Sequence, residues 1–192
     1  MRTSWQILKW RGVPVVLSWT MLLALPWFYY RQGTWLGMAI AFVAFFFLMF
    51  VHELGHAAVA KWRGVPVIGI NLYVMHGLCS HEEPERKSDE IWIAWGGVAA
   101  QAVVLVLALG TSYLLGRYAF MSFVYASPAL HILTVTNVFL ILFNLVPVPP
   151  LDGAKAWLAL PMAWKTFQRN RKLKRESRQI ASDIIEWHKK KQ

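Results

Sequence analysis

Cysteine is nearly absent: Cys79 stands alone among 192 residues, which excludes an intrachain disulfide and the stapled frameworks of small secreted domains. Charge is scarce too. Only 16% of residues are Asp, Glu, Lys or Arg, against about a quarter in soluble domains, too few for a wholly water-exposed surface. Acidic residues are the rarer sign, ten against twenty basic, and the formal charge of +10 invites a nucleic-acid reading. Its location argues otherwise. The last 28 residues hold ten Lys or Arg against only Glu176, Asp183 and Glu186, so the excess belongs to a tail, and no nucleic-acid partner is expected. No cleavable leader is expected either, because the N-terminal apolar stretch contains Pro14 and Pro26 and lacks a small-residue cleavage site.

What the chain has in quantity is apolar surface, with 57% hydrophobic residues and a mean hydropathy of +0.40. The expected class is a mainly α, polytopic integral membrane protein. Four apolar segments, Val13–Tyr30, Trp35–Ala60, Ile91–Gly116 and Pro128–Val146, each reach the ~17 to 25 residues needed to cross a bilayer. Basic residues set their direction. With Arg2, Lys9 and Arg11 in the cytoplasm, Lys61, Arg63, Arg86, Lys87 and the tail are cytoplasmic as well, leaving Arg31 and Arg117 outside. The protein is therefore expected in the cell membrane as a multi-pass chain with both termini cytoplasmic. Residues 1–164 form the embedded core and 165–192 a basic tail. Leu173, Ser177, Ile180, Ile184 and Trp187 recur in that tail at helical spacing, which suits an amphipathic helix against membrane lipids or a regulatory membrane protein.

Between the second and third segments, "VIGINLYV" (Val67–Val74) alternates Ile68, Ile70, Leu72 and Val74 on one face, a strand signature. "GLCSHEE" follows from Gly77. A small β-hairpin at the membrane surface is expected. The fourth segment ends abnormally, because Asn144 runs into "LVPVPPLDG", whose prolines remove backbone donors. Broken backbone at membrane depth is tolerated only where protein buries it or a wet cavity receives it. A break of this kind suggests a site.

The second segment carries "HELGH". His52 and His56 are four residues apart, one helical turn on the same face, where two imidazoles can hold one Zn²⁺. Glu53, next to them, has the position of the general base in H-E-x-x-H sites. At ~1.5 Å per residue, His52 lies about 13 Å and His56 about 8 Å from Lys61 at the segment's end. A catalytic zinc takes three protein ligands and keeps a fourth position open. Asp152 is the best third ligand, since it sits in the broken backbone beside a glycine. The alternative third ligands are Glu82, Glu83 and Glu85, which would suit a protease acting on chains outside the membrane. His76, Cys79 and His81 are ligand types in one loop, but their spacing matches no defined zinc module.

With "HELGH" at 52–56, "RGVPV" ahead of the strand and "NLVPVPPLDG" at 144–153, the chain resembles the site-2 protease family of membrane-embedded zinc metalloproteases over most of residues 5 to 160. The resemblance implies an intramembrane endopeptidase with one Zn²⁺, acting on transmembrane protein substrates and reduced to a core without PDZ or CBS domains. It implies His52, His56 and Asp152 as ligands, Glu53 as base and Asn144 in the active site. Substrate would add as a strand along Ile70, Asn71 and Leu72. One departure stands in the third segment, "GGVAAQ", where Gly97 takes the place of the proline many relatives carry and Gln101 that of their asparagine. A reading from another class is an inactive regulatory homologue that keeps the scaffold.

Overall fold

The computed structural model describes residues 4–74, 76–115 and 127–190, with backbone alone at residues 115, 165 and 181–190. Strands β1 (Ser4–Trp10) and β2 (Val13–Ser18) form a hairpin. Its two-residue loop, Arg11 and Gly12, has φ of 48° and 86°, the left-handed pair that matches the twist of the flanking strands. A 3₁₀ turn (Trp19–Leu23) and helix α1 (Ala24–Gln32) follow. This corrects the first expected span. Val13–Tyr30 opens as "VPVVLS", whose β-branched residues suit a strand, and its α-helix has nine residues, ~14 Å of rise against a ~30 Å hydrocarbon core.

Helix α2 (Trp35–Trp62) starts at Thr34, whose Oγ1 accepts from the Gly37 N–H at 3.1 Å. It stops at "RGVP" in a Schellman motif. Gly64, at φ +77°, donates to the Lys61 carbonyl, and Val65 donates to that of Ala60 at 2.8 Å. Ala60 and Val65 also share a small buried cluster, the apolar contact that accompanies such a cap. Residues of "RGVP" therefore turn the chain directly out of α2 into β3.

Strands β3 (Val67–Leu72) and β4 (Gly77–His81) give the expected hairpin, but as half of a four-stranded sheet of order β1-β2-β3-β4. β2 runs parallel to β3, with Val15 opposite Ile70 and Leu17 opposite Leu72. Residues 4–18 thus lie beside the α2–α3 connection. The expected alternation fails at Ile68, which is exposed because the β3–β4 register shifts between Val67 and Gly69. Ile70 and Leu72 are fully buried with Val15, Met49 and Ala57, each worth about 1.5 to 3 kcal/mol of apolar burial.

Helix α3 (Lys87–Leu115) packs on α2 where Gly55 meets Gly96. A Cβ on either glycine would strike the other's carbonyl oxygen, so the two backbones approach as only glycines allow. The last membrane-type segment is one helical run in three parts: α4 (Pro128–His131), a π turn (Ile132–Thr136) and α5 (Asn137–Asn144). It ends where expected. Residues 145–152 are irregular, with a cis bond at Pro149–Pro150, before the short α6 (Gly153–Ala156).

Among the described residues, two helices are long and apolar enough to cross a membrane, Trp35–Trp62 and Lys87–Leu114, and Pro128–Asn144 is a shorter apolar one. Four spanning helices are not found among the described residues. Of the apolar windows of the two long ones, 33% and 44% are buried. Compact packing ends at Ala156. Helix α7 (Ala159–Lys190) then runs unbroken for 32 residues, Pro161 being tolerated in its first turn. Leu173 and Ile180 are exposed on it. The side chains of Ile184 and Trp187, and the residues Arg2, Gly116 and Arg117, lie outside what is described.

Candidate metal centre

Burial comes first, because it makes the site's polar groups costly. His52, Glu53 and His56 are 5%, 3% and 6% exposed. Each imidazole is held through Nδ1: His52 donates to Gln101 Oε1 at 3.0 Å and His56 to the Ile93 carbonyl at 2.7 Å. With both Nδ1 atoms protonated, each Nε2 presents a lone pair. These converge. The two Nε2 atoms lie 3.0 Å apart, and Asp152 Oδ2 lies 3.0 Å from that of His52 and 3.2 Å from that of His56. Asp152 Oδ2 is buried without a hydrogen-bond donor.

In the neutral, Nδ1-protonated tautomers three electron-pair donors would thus face one point. Tetrahedral ligands at ~2.05 Å from a zinc ion would stand about 3.3 Å apart, so the observed triangle fits that metal within a few tenths of an ångström. Glu53 is less well placed as a ligand. The donor atoms of His52, Glu53 and His56 lie only within 4.8 Å of one another, and the Glu53 carboxylate is engaged by the Cys79 backbone N–H. Gly77 lies against it so closely that any Cβ there would overlap it.

Helix α3 contributes none of the three donors but fastens all of them. Besides Gln101 and Ile93, its Trp95 Nε1 donates to the Ala156 carbonyl at 3.2 Å, and its Glu90 pairs with Lys155 at 3.0 Å, two ties on the segment that carries Asp152. Gly97 lies beneath the imidazoles, where a Cβ would meet His56 Nε2 and His52 Cε1. A proline at position 97 would carry a Cβ as well, so in this backbone it would press on both imidazoles. Gly153 is similarly constrained, because a Cβ there would strike the Leu145 and Val146 carbonyls.

A cavity of about 290 Å³ opens over these groups, lined by β4 from Gly77 to Cys79, by His76, His81 and Leu140, and by Asn144. Asn144 thus stands on the wall of this cavity. Ile70, Asn71 and Leu72 are not positioned as expected. They lie on β3, both of whose edges are taken by neighbouring strands, so no further strand can add there; β4 has the open edge. Glu82, Glu83 and Glu85 line a separate surface cavity with Arg86 and Asp89, which leaves Asp152 as the third donor. Among the described residues no metal cluster forms from His76, Cys79 and His81. His76 stacks on Tyr73 at 5.2 Å, His81 donates to the Glu82 carbonyl, and burial, with Glu53 nearby, pushes the Cys79 thiol up to about 12.

No protein-family model matches the chain. It is 34% identical over 156 residues to the provisionally named zinc metalloprotease sll0528 of Synechocystis sp., covering 74% of this chain and 40% of that one. It is 29% identical over 162 residues to the zinc metalloprotease MJ0392 of Methanocaldococcus jannaschii, covering 83% and 46%. The solved site-2 protease from Methanocaldococcus jannaschii superposes with a TM-score of 0.63 at 26% identity, over 82% of this chain and 71% of that one. The chain belongs to the site-2 protease family. It spans less than half the length of the curated relatives it matches. As a member of the site-2 protease family with two helices long and apolar enough to cross a bilayer, it is a membrane protein.

Two contributors were not legible in advance. The Ile93 carbonyl has no sequence signal, since every residue carries one. Asn137, fully buried and bonded to the Gln101 carbonyl at 3.0 Å, did have one: it is an amide inside the apolar run Pro128–Val146, and polar groups at such depth are costly.

Proposed function

We propose that this chain is a zinc-dependent intramembrane endopeptidase that hydrolyses peptide bonds in or near transmembrane segments of membrane proteins. The convergence of His52 Nε2, His56 Nε2 and Asp152 Oδ2 within 3.0 to 3.2 Å, beside Glu53, carries the reading. His52, His56 and Asp152 would hold one Zn²⁺. When bound, the ion supplies a Lewis acid that acidifies water and polarises the scissile carbonyl.

The chain's own groups supply the rest. A transmembrane helix hides its peptide bonds, so it must be drawn out before attack, and the open edge of β4, Gly77–His81, would take it as an added strand along the cavity. Glu53, fixed by the Cys79 N–H, takes a proton from the attacking water as oxygen bonds to the carbonyl carbon. It returns that proton to the departing amine as the C–N bond breaks. Asn144, which lines the cavity, would donate its amide to the developing oxyanion. Substrate enters from the cytoplasmic side in this reading. Both termini are cytoplasmic, residues 1–164 act as the embedded core, and the tail from 165 to 192 lies along anionic lipids or a regulatory membrane protein.

Glu53→Gln and Asp152→Ala test this in a cell co-expressing a single-span substrate. Glu53→Gln should retain metal and lose cleavage. Asp152→Ala should lose metal as well. Full cleavage by Glu53→Gln removes that residue from the reaction, and normal cleavage by both variants favours another protease as the agent.

A further inference from the structure

Gln101 and Asn137 are both fully buried, and each leaves one atom of its side-chain amide unpaired among the described residues. Gln101 spends Oε1 on His52 Nδ1 and its backbone carbonyl on Asn137 Nδ2, at 3.0 Å each. Asn137 Nδ2 also reaches the Leu133 carbonyl at 3.3 Å. Left over are a donor, Gln101 Nε2, and an acceptor, Asn137 Oδ1, both buried and without a partner among the described residues. The two leftovers are complementary in kind. The π turn at Ile132–Thr136 ends immediately before Asn137, and such single-turn insertions re-aim the residues that follow them and gather at functional sites.

We infer that Asn137 is a positioning residue for the metal centre: it clamps Gln101 of α3, and Gln101 in turn fixes the orientation and the Nδ1-protonated tautomer of His52. The chain of bonds runs Leu133 carbonyl, Asn137, Gln101, His52, so the last helical run orients a ligand on α2 without touching it. The inference rests on the zinc reading above, and Asp152 lies in the irregular stretch that follows the same helical run. The last membrane-type segment and its break would therefore supply one ligand and orient a second.

The test uses the full chain in detergent micelles with cobalt(II) alone as the probe, read by its visible absorption and by chelator competition, with no substrate present. Gln101→Leu should weaken cobalt affinity about 10- to 100-fold, the range for partners of metal-ligating histidines. Gln101→Glu, which keeps an acceptor for His52, should restore it. Asn137→Asp, which keeps shape but loses the amide donor, and Asn137→Leu should each weaken affinity several-fold and shift the cobalt spectrum. In the double variant Asn137→Asp/Gln101→Leu the loss should equal that of Gln101→Leu alone. If Asn137→Leu fails to fold, Asn137→Asp carries the comparison. Wild-type affinity and spectrum in Asn137→Asp, or losses that add in the double variant, overturn the clamp and leave the zinc reading intact. Failure of the unaltered chain to take up cobalt removes both.

Discussion

Helices α2 and α3 are nearly equal in length, 28 and 29 residues, and both are apolar enough to span a bilayer. They divide the work unequally. α2 bears the reactive groups, two imidazoles and a carboxylate within five residues, whereas α3 bears no ligand and decides where the ligands point. Its tools are plain: a backbone carbonyl at Ile93, an indole N–H at Trp95, an amide at Gln101 and two glycines that let it come close. Chemistry on one helix is thus made usable by geometry on another, which is why a metal ligand seldom works without partners behind it.

Breaking the reactive side should have the largest effect. Glu53→Gln removes the group that moves the proton, and cleavage should fall about 10²- to 10⁴-fold while bound metal stays at wild-type stoichiometry; loss of metal with activity would mean that Glu53 is a ligand. Breaking the geometric side comes next. Gly97→Ala puts a methyl group into the space of both imidazoles, so metal affinity should drop at least tenfold, comparable to loss of a ligand's partner, although no ligand has changed. Unaltered metal binding in that variant would show that α3 does not shape the site.

Gly55→Ala probes the approach of the two helices rather than the metal. A methyl group there meets the Gly96 carbonyl and Ala100, and overpacking of this kind costs about 1 to 3 kcal/mol, to be read as a lowered Tm in micelles. The smallest effect concerns β4, which holds Glu53 from the other side. Burial and Glu53 push the Cys79 thiol from 9.0 up to about 12, so between those values the unfolded chain has released a proton that the folded chain still binds. Stability should therefore fall as pH rises from about 9 toward 12. Cys79→Ala should remove that part of the decline, and an unchanged pH profile would show that the thiol does not contribute.

Legibility followed the range of the interactions. "HELGH" was readable because its geometry is local: i and i+4 share a face in any helix, whatever surrounds it. "RGVPV" was readable as the lead into a strand for a similar reason, and the Schellman turn at Gly64 delivers the chain there. "VPVVLS" misled because apolar content alone does not distinguish a spanning helix from a strand with partners, and the partners of β2 lie both next to it and over fifty residues away. Ile70, Asn71 and Leu72 misled for a related reason. A strand's own residues show that it is a strand, but whether its edge is open depends on who pairs with it.

The sequence by itself determined the ligand types, their helical spacing, the break after Asn144 and the apolar character of the long helices, all properties of neighbouring residues and of composition. Only the tertiary structure decided that Asp152 meets His52 and His56, that Gly97 lies against both imidazoles, and that Gln101 and Asn137 stand behind one of them. Those facts depend on segments 36 to 100 residues apart being brought within hydrogen-bonding distance, and no local rule of spacing reaches so far along a chain.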